Sequence, residues 1–565
     1  MRKKIISLGL CLLLMLSVFA GCSKDNVETN KPVDKDNSTT VDKEKDEIVT
    51  KASEGGIYPI TSEKTELRIM AGEDRFVQHI EENELTKEYE EKTNVKVNWE
   101  MVATKSTKER LNLTLSTGDV LPDVFLNLGI NNQQVVSYGI EQGLIIDLKP
   151  YIDKYAPNIK AMFEYDPMIE KIITAPDGGI YTLPQVEETY HVKAPQKAWI
   201  YKPWLDKLGL EVPQTIEELR VVLEAFATKD PNGNNKADEI PMTGATTGWS
   251  TSIVDFIMNG FIYTYQYQRW IVDEEGNVSV PYNTPEWREG LKFLNGLHKD
   301  KLLDEAAFSQ DAAQLKQAVM FEEAPLVGVV AAGAKTAFCS LNNPRFNDYV
   351  ALPPLEGPKG AKNAATNTCS VNTGKFAISN QCKDPAVAIR WIDYFYSQEG
   401  TLRAVMGVEG RDWRKAEEGE KGLNDEDGVY YRLLKYGKEQ NACWNKLVPC
   451  FYRDKLRNGE VIDKTSQEKM LYDVTKELYS PHFAKNIMLP IFMSTEEAEE
   501  IAEYGYLISD TKTGYVTVSY AKFILGEWDV NDDGKWNDYI KQLDNMGLQR
   551  FIEIQQKNYK SQYID

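Results

Sequence analysis

Between Lys229 and Pro241 the chain reads KDPNGNNKADEIP, with oxygen-bearing side chains at Asp230, Asn232, Asn234, Asp238 and Glu239. Hard oxygens at that density suit a calcium ion, which takes about six to eight of them in a tightly curled loop. An EF-hand loop supplies side-chain oxygens from positions 1, 3, 5 and 9 and a backbone carbonyl from position 7. Asp230, Asn232 and Asn234 fall on 1, 3 and 5, Lys236 lends its carbonyl at 7, and Asp238 and Glu239 stand at 9 and 10. Asn235 takes the sharp-turn position usual for glycine, and asparagine tolerates left-handed backbone. Pro241 fills the twelfth position, so the bidentate glutamate of a full EF-hand is absent and the loop is a shortened one. The competing reading is a solvated Asn-Gly turn after a helix.

The spacing recurs at Asp529, Asn531, Asp533, Asn537 and Asp538, with Gly534 at the sixth place and Lys535 at the seventh. Two readings stand for it: a second calcium loop, or an acidic turn capping the helix that follows. In either loop the ion would be structural, because neither leaves an obvious position open to a substrate.

Such loops need a body to fasten. The chain has 565 residues, 42% of them apolar, enough for a large core and more than one lobe. Its net charge of −21 argues against nucleic acid, which requires clustered Lys and Arg. Arg2-Lys3-Lys4 and the apolar run from Ile5 to Ala20 form an export leader too short to span a bilayer comfortably. Phe19-Ala20-Gly21-Cys22 resembles a bacterial lipobox, although Phe19 stands where Leu is usual. Residues 1–21 are therefore expected to be cleaved and Cys22 to be lipidated; an ordinary signal peptide with a chance cysteine is the alternative. Residues 22–57 are polar and read as a disordered tether, leaving a body at 58–565. Five cysteines remain in that body with no zinc-like pairing; they are free buried thiols or form one or two disulfides.

In the body, strand-like Thr65–Met70, Val95–Trp99 and Asp123–Asn127 alternate with helical stretches, the mark of parallel βαβ units. Thr215-Ile-Glu-Glu218 is a capping box, and Thr284-Pro285, Asp384-Pro385 and Ser494-Thr-Glu-Glu497 also begin helices. The turn clusters Tyr181–Gln185 and Leu352–Pro358 are candidate crossings between lobes. The expected architecture is a two-lobed α/β body.

Three stretches carry a family resemblance. These are Leu115–Val124, Tyr201–Thr215 running on into Asp230-Pro-Asn-Gly-Asn, and Val408-Glu-Gly-Arg-Asp-Trp413; Asp538–Leu548 also fits. They resemble the extracellular solute-binding proteins of family 1, in the Gram-positive lipoprotein group related to the alginate-binding proteins. The resemblance implies a type II periplasmic-binding-protein-like fold with a hinge of several crossings. Lobe 1 would hold about 58–185 and lobe 2 about 186–365, with parts of 370–565 in each. It further implies a monomer, lipid-anchored to the outer face of the cell membrane, that captures an oligosaccharide in its cleft and hands it to ABC permease subunits. The shortened loop resembles the calcium site of the alginate-binding relatives.

Sugar binding needs flat apolar faces and planar polar groups. Trp413, Glu409 and Trp249 are the first candidates, because they sit among small or polar residues rather than on a helix stripe. Trp199 and Tyr201 alternate at a strand edge, and Glu73, Asp74 and Asn127 follow strand ends, where open α/β sheets bind ligands. Arg411 is either a partner for a uronate carboxylate or a structural partner of Glu409. A glycan-active enzyme is the rival class, and a ligand-presenting partner of a membrane sensor is a third reading. The four histidines show no zinc spacing, and no Gly-x-Ser-x-Gly elbow is present. A non-enzymatic binding role is therefore expected.

Overall fold

The computed structural model describes residues 50–434, 437–509 and 513–564. The leader, Cys22 and most of the tether lie outside the described residues. No described helix is long and apolar enough to cross a membrane.

Thr65–Gly72 alternates exposed and buried side chains, then is buried throughout from Ile69, as a central strand covered on both faces must be. It pairs in parallel with Val95–Val102 on one side and Val124–Leu126 on the other. The helices Glu84–Thr93 and Thr107–Thr117 make the two crossovers. Asn83 starts the first by accepting the Leu85 N–H, and Asn94 ends it at φ 59°, a left-handed conformation asparagine tolerates. The full sheet has six strands, in the order Phe451–Tyr452, Leu183–Glu187, Val371–Ile378, Val124–Leu126, Thr65–Gly72, Val95–Val102. Val371–Ile378 runs antiparallel to both neighbours. Beside this sheet Tyr89, Trp99, Trp391 and Trp444 form an aromatic cluster with ring centres 5.5 to 6.3 Å apart.

A second sheet has four strands, in the order Tyr349–Leu352, Ala198–Tyr201, Val327–Ala331, Ile240–Thr243. Its core is built by helices whose starts the sequence marks. Thr215 accepts the Glu218 N–H at 3.1 Å while Glu218 accepts the Thr215 N–H at 3.3 Å. The helix Ile216–Thr228 then buries Ile216, Leu219, Leu223 and Phe226. Thr284 caps Pro285–Lys299, which buries Trp287, Leu291, Leu294 and Leu297. Each such apolar side chain removed from water contributes about 1.5–3 kcal/mol. The C-terminal helices Tyr515–Leu525, Asp533–Asn545 and Leu548–Tyr563 add Phe523, Tyr539, Leu543 and Phe551 to the same core. The two sheets, each with its own core, make the two-lobed α/β body.

The chain passes between the sheets along 188–197 and 353–370, and 462–466 leads from the short strand Glu460–Val461 into the helix Gln467–Val474. The Leu352–Pro358 cluster opens one of these crossings. The Tyr181–Gln185 cluster does not: Leu183–Glu187 is a strand, and the crossing starts after it. Residues 50–57, expected to be tether, instead pack on the body. Thr50 and Lys51 bond the carboxylate of Asp384, which caps the helix Pro385–Asp393, and the Ile57 carbonyl accepts from Arg390. All five described cysteines are free, and four are buried.

Gly374 sits at the irregular register of the Val371–Ile378 strand with φ +70°, and a Cβ there would lie 1.8 Å from the Ile130 carbonyl oxygen. Gly374→Ala combines left-handed strain with a backbone collision, so it is expected to cost more than about 2 kcal/mol in urea unfolding. A smaller loss would mean that the strand can shift to make room.

Candidate functional site

A cavity of about 660 Å³ opens where the crossings meet, lined from the first sheet, the crossings and the helix Gln467–Val474. Glu187 stands at the end of its strand with Lys446 Nζ at 2.8 and 3.1 Å from its two oxygens and the Thr189 hydroxyl at 3.0 Å. Burial pushes the Glu187 carboxyl up, but Lys446, Arg457 and Thr189 outweigh it and hold the group below the usual range. Arg457 spends Nη2 on Glu468 at 2.9 Å, Nη1 on Glu460 at 3.3 Å and Nε on Thr189 at 3.2 Å. Arg432 reaches Glu460 at 3.4 Å, and the Tyr430 hydroxyl donates to the same carboxylate. The cations and carboxylates on the cavity wall are thus tied to one another.

His191 differs from them. It is 8% exposed, and its Nδ1 lies 3.5 Å from Glu468 Oε2 without a hydrogen-bond partner. Burial first, then Lys197 and Arg457, push its pKa down to about 3, so the ring is neutral. Lys197 lies fully buried behind it, donating to the carbonyls of His191 and Ala194, and burial lowers its pKa to about 7.

Of the residues suggested by sequence, Trp249 lies beside a residue of this cavity: half-buried, its ring meets that of His191 edge-on at 6.1 Å. Others lie elsewhere. Trp413 is 7% exposed, packs with Met406, Tyr430 and Tyr452, and donates its indole N–H to the Gly407 carbonyl. Trp199 is 0% exposed, with its N–H on the Ala332 carbonyl, and Tyr201 is buried with its hydroxyl on Asp348. These three rings are core, not platform. Arg411 is a structural ion pair, but with Asp412 and Glu84 at 2.7 Å rather than with Glu409, which lies on the surface near Lys415. Glu73 and Asp74 line a different cavity of about 510 Å³, where Asp74 accepts from the Phe76 N–H and the Asn445 amide. Asn127, at φ 54°, donates its N–H to the Lys375 carbonyl.

The Asp230 loop folds as a curled donor loop. Asp230 accepts the N–H groups of Gly233, Asn234 and Asn235, Asn232 Oδ1 accepts from Asn234, and Asn234 Oδ1 accepts from Lys236. These bonds draw the oxygens at positions 1, 3 and 5 over the loop. The Asn232 and Asn234 amides reach Asp238 at 2.9 to 3.1 Å and hold its carboxyl below the usual range. Asn235 adopts φ 58°, as its turn position requires. Lys207 clamps the loop from outside through the carbonyls of Asp230 and Pro231. Among the described residues no three His, Cys, Asp or Glu side chains form a metal group. The fit to a hard cation therefore rests on amide and carbonyl oxygens as well as carboxylates.

The second acidic stretch folds otherwise. Asp532 caps a helix starting at Asp533, Asp533 pairs with Arg288, and Lys535, Asn537 and Asp538 lie within the helix. The Asp529 carboxylate accepts from Asn531, and its carbonyl accepts the Asp532 N–H. These positions do not converge, and the helix-cap reading replaces the second calcium loop.

The sequence pattern of bacterial extracellular solute-binding proteins matches residues 78–402. The chain belongs to that family. It is 29% identical, over 90% of its length and 92% of the relative's, to the fructooligosaccharide ABC transporter substrate-binding protein FusA of Streptococcus pneumoniae. The structure of FusA in complex with kestose superposes with a TM-score of 0.69 at 27% identity, covering 88% of this chain and 99% of FusA. A structure described as a FusA EF-hand mutant with fructo-nystose gives 0.69 at 26%, over the same shares of the two chains. The alginate-binding protein AlgQ2 without calcium ion gives 0.60 at 25%, covering 88% and 99%. This solute-binding protein thus shares its two-lobed fold with FusA, which has been solved with bound sugars.

His191 generates a pH prediction. Its folded pKa lies below its unfolded one, so between about pH 6 and 4 the unfolded chain binds one proton more and stability falls as acid is added. The contribution is about 1.4 kcal/mol per pH unit. His191→Gln is expected to remove close to one proton from the slope of unfolding free energy against pH. An unchanged slope would mean that His191 is protonated in the folded protein.

Proposed function

We propose that the chain is the extracytoplasmic solute-binding component of an ABC importer and that it captures an oligosaccharide in the cavity at the crossings. One observation carries the reading: a cavity at the crossings, lined by charged, polar and apolar side chains from the first sheet, the crossings and the helix Gln467–Val474, in a member of the solute-binding family. The likeness to FusA supports a sugar ligand. Trp249 beside His191 offers an aromatic edge to it. On this reading the protein acts as a monomer, anchored through lipid on Cys22, and delivers its ligand to permease subunits.

The ionisation of the cavity favours binding over hydrolysis. A glycosidase needs one carboxyl with a raised pKa as general acid. Glu187 is held low, and Glu460 and Glu468 are tied to arginines.

The same proposal gives the Asp230 loop a structural calcium ion, held by Asp230, Asn232, Asn234, Asp238, Glu239 and the Lys236 carbonyl. Bound there, the ion would supply the positive charge that lets three carboxylates share one loop. The likeness to FusA, solved also as an EF-hand mutant, and to AlgQ2, solved without calcium ion, supports this.

Two measurements test the proposal. Titration calorimetry against neutral and acidic oligosaccharides, with chromatography of the recovered sugar, is expected to find saturable binding and intact ligand. Cleavage products would replace transport with an enzyme. Chelator is expected to lower the melting temperature by about 2–4 °C. Asp230→Ala should abolish that response without changing which sugar binds, and a chelator-insensitive wild type would leave the loop a solvated turn.

A further inference from the structure

Resting on the reading of the crossing cavity as the ligand site, we propose that its ligand is an uncharged glycan and that the cavity rejects uronates. The wall carries Glu187, Glu460 and Glu468 against Lys446, Arg432 and Arg457. The charges balance, and the pairing uses them. Lys446 engages both oxygens of Glu187, and Arg457 directs all three of its nitrogens at Glu460, Glu468 and Thr189. A uronate is recognised through a cation with a pair of donors to give. To gain them here it would have to displace a glutamate, and for Glu187 and Glu460, which sit largely out of water, that leaves a carboxylate enclosed and uncompensated, a heavy penalty.

What the wall still offers is neutral. His191 lines the cavity, and its Nδ1 is buried with no hydrogen-bond partner. A neutral imidazole nitrogen takes one hydroxyl bond as donor or acceptor. Asn367, Ser370 and Asn372 line the neighbouring wall, and amides and hydroxyls pair with sugar hydroxyls in both directions. The cavity is therefore built to read hydroxyls and to exclude a third party from its ion pairs.

Calorimetry of the purified protein tests this with kestose, galactotriose and mannotriose against trigalacturonate and trimannuronate, each at low and high salt. At least one neutral trisaccharide is expected to bind with an affinity that changes less than about two-fold with salt, since no ligand charge is screened. Both uronates should bind at least about 100-fold more weakly. Glu468→Gln, checked for folding by circular dichroism, releases one face of Arg457 and is expected to gain trigalacturonate binding by about ten-fold or more. That gain cannot come from misfolding. A uronate bound as tightly by the wild type as the best neutral sugar, or a folded Glu468→Gln without the gain, would overturn the inference and leave the transport reading standing. Failure of the folded protein to bind any saccharide would remove the site reading, and this inference with it.

Discussion

A charge at the junction of the two lobes must bring its partner with it. Glu187, Arg457 and Glu460 sit largely out of water, and an enclosed charge without a counter-charge costs several kcal/mol. That constraint fixes where distant parts of the chain meet. The end of the Leu183–Glu187 strand is tied to Lys446, the Asp454–Asn458 helix to Glu468 of the next helix, and Arg432, at the end of the strand Tyr430–Arg432, to Glu460 of the strand paired with it. Thr189, in the first crossing, is held by both Glu187 and Arg457. The floor of the cavity is this network.

The lobes can hold such a floor because each is separately well packed. Tyr89, Trp391 and Trp444 are locked in the first lobe by hydrogen bonds as well as ring contacts: Tyr89 donates to the Trp391 carbonyl and Trp444 to Thr86. In the second, Trp199, Trp204 and Trp287 are fully buried. Rigid lobes limit the ordering that a ligand would have to impose, and preorganised walls lose less on binding. Lys197 shows the strength of the enclosure, since its ammonium is satisfied there by two carbonyls of the first crossing.

Local rules were legible in the sequence where the chemistry is local. Thr215, Thr284 and Asp384 cap the helices they announce, and the Asp230 spacing curls because its bonds run between residues two to six apart. The aromatic candidates misled for a physical reason. Trp413 stands in a polar, glycine-containing stretch, yet Tyr430 and Tyr452 arrive from later in the chain and enclose it. Trp199 alternates like an edge residue, but Ala198–Tyr201 is an inner strand, paired on both sides. The cavity's charged wall left no local sign at all. Glu187, Lys446, Arg457 and Glu468 belong to separate segments, and only tertiary folding turns four ordinary surface-type residues into one network.

The account stands on the position of the ligand. A crystal structure of the protein with its tightest-binding oligosaccharide tests that most directly. Sugar hydroxyls should lie within hydrogen-bond distance of His191 Nδ1, with the Glu187–Lys446 and Arg457–Glu468 pairs intact beneath them. A sugar seated instead in the cavity beside Glu73 and Asp74, with the crossing cavity holding only water, would contradict the account.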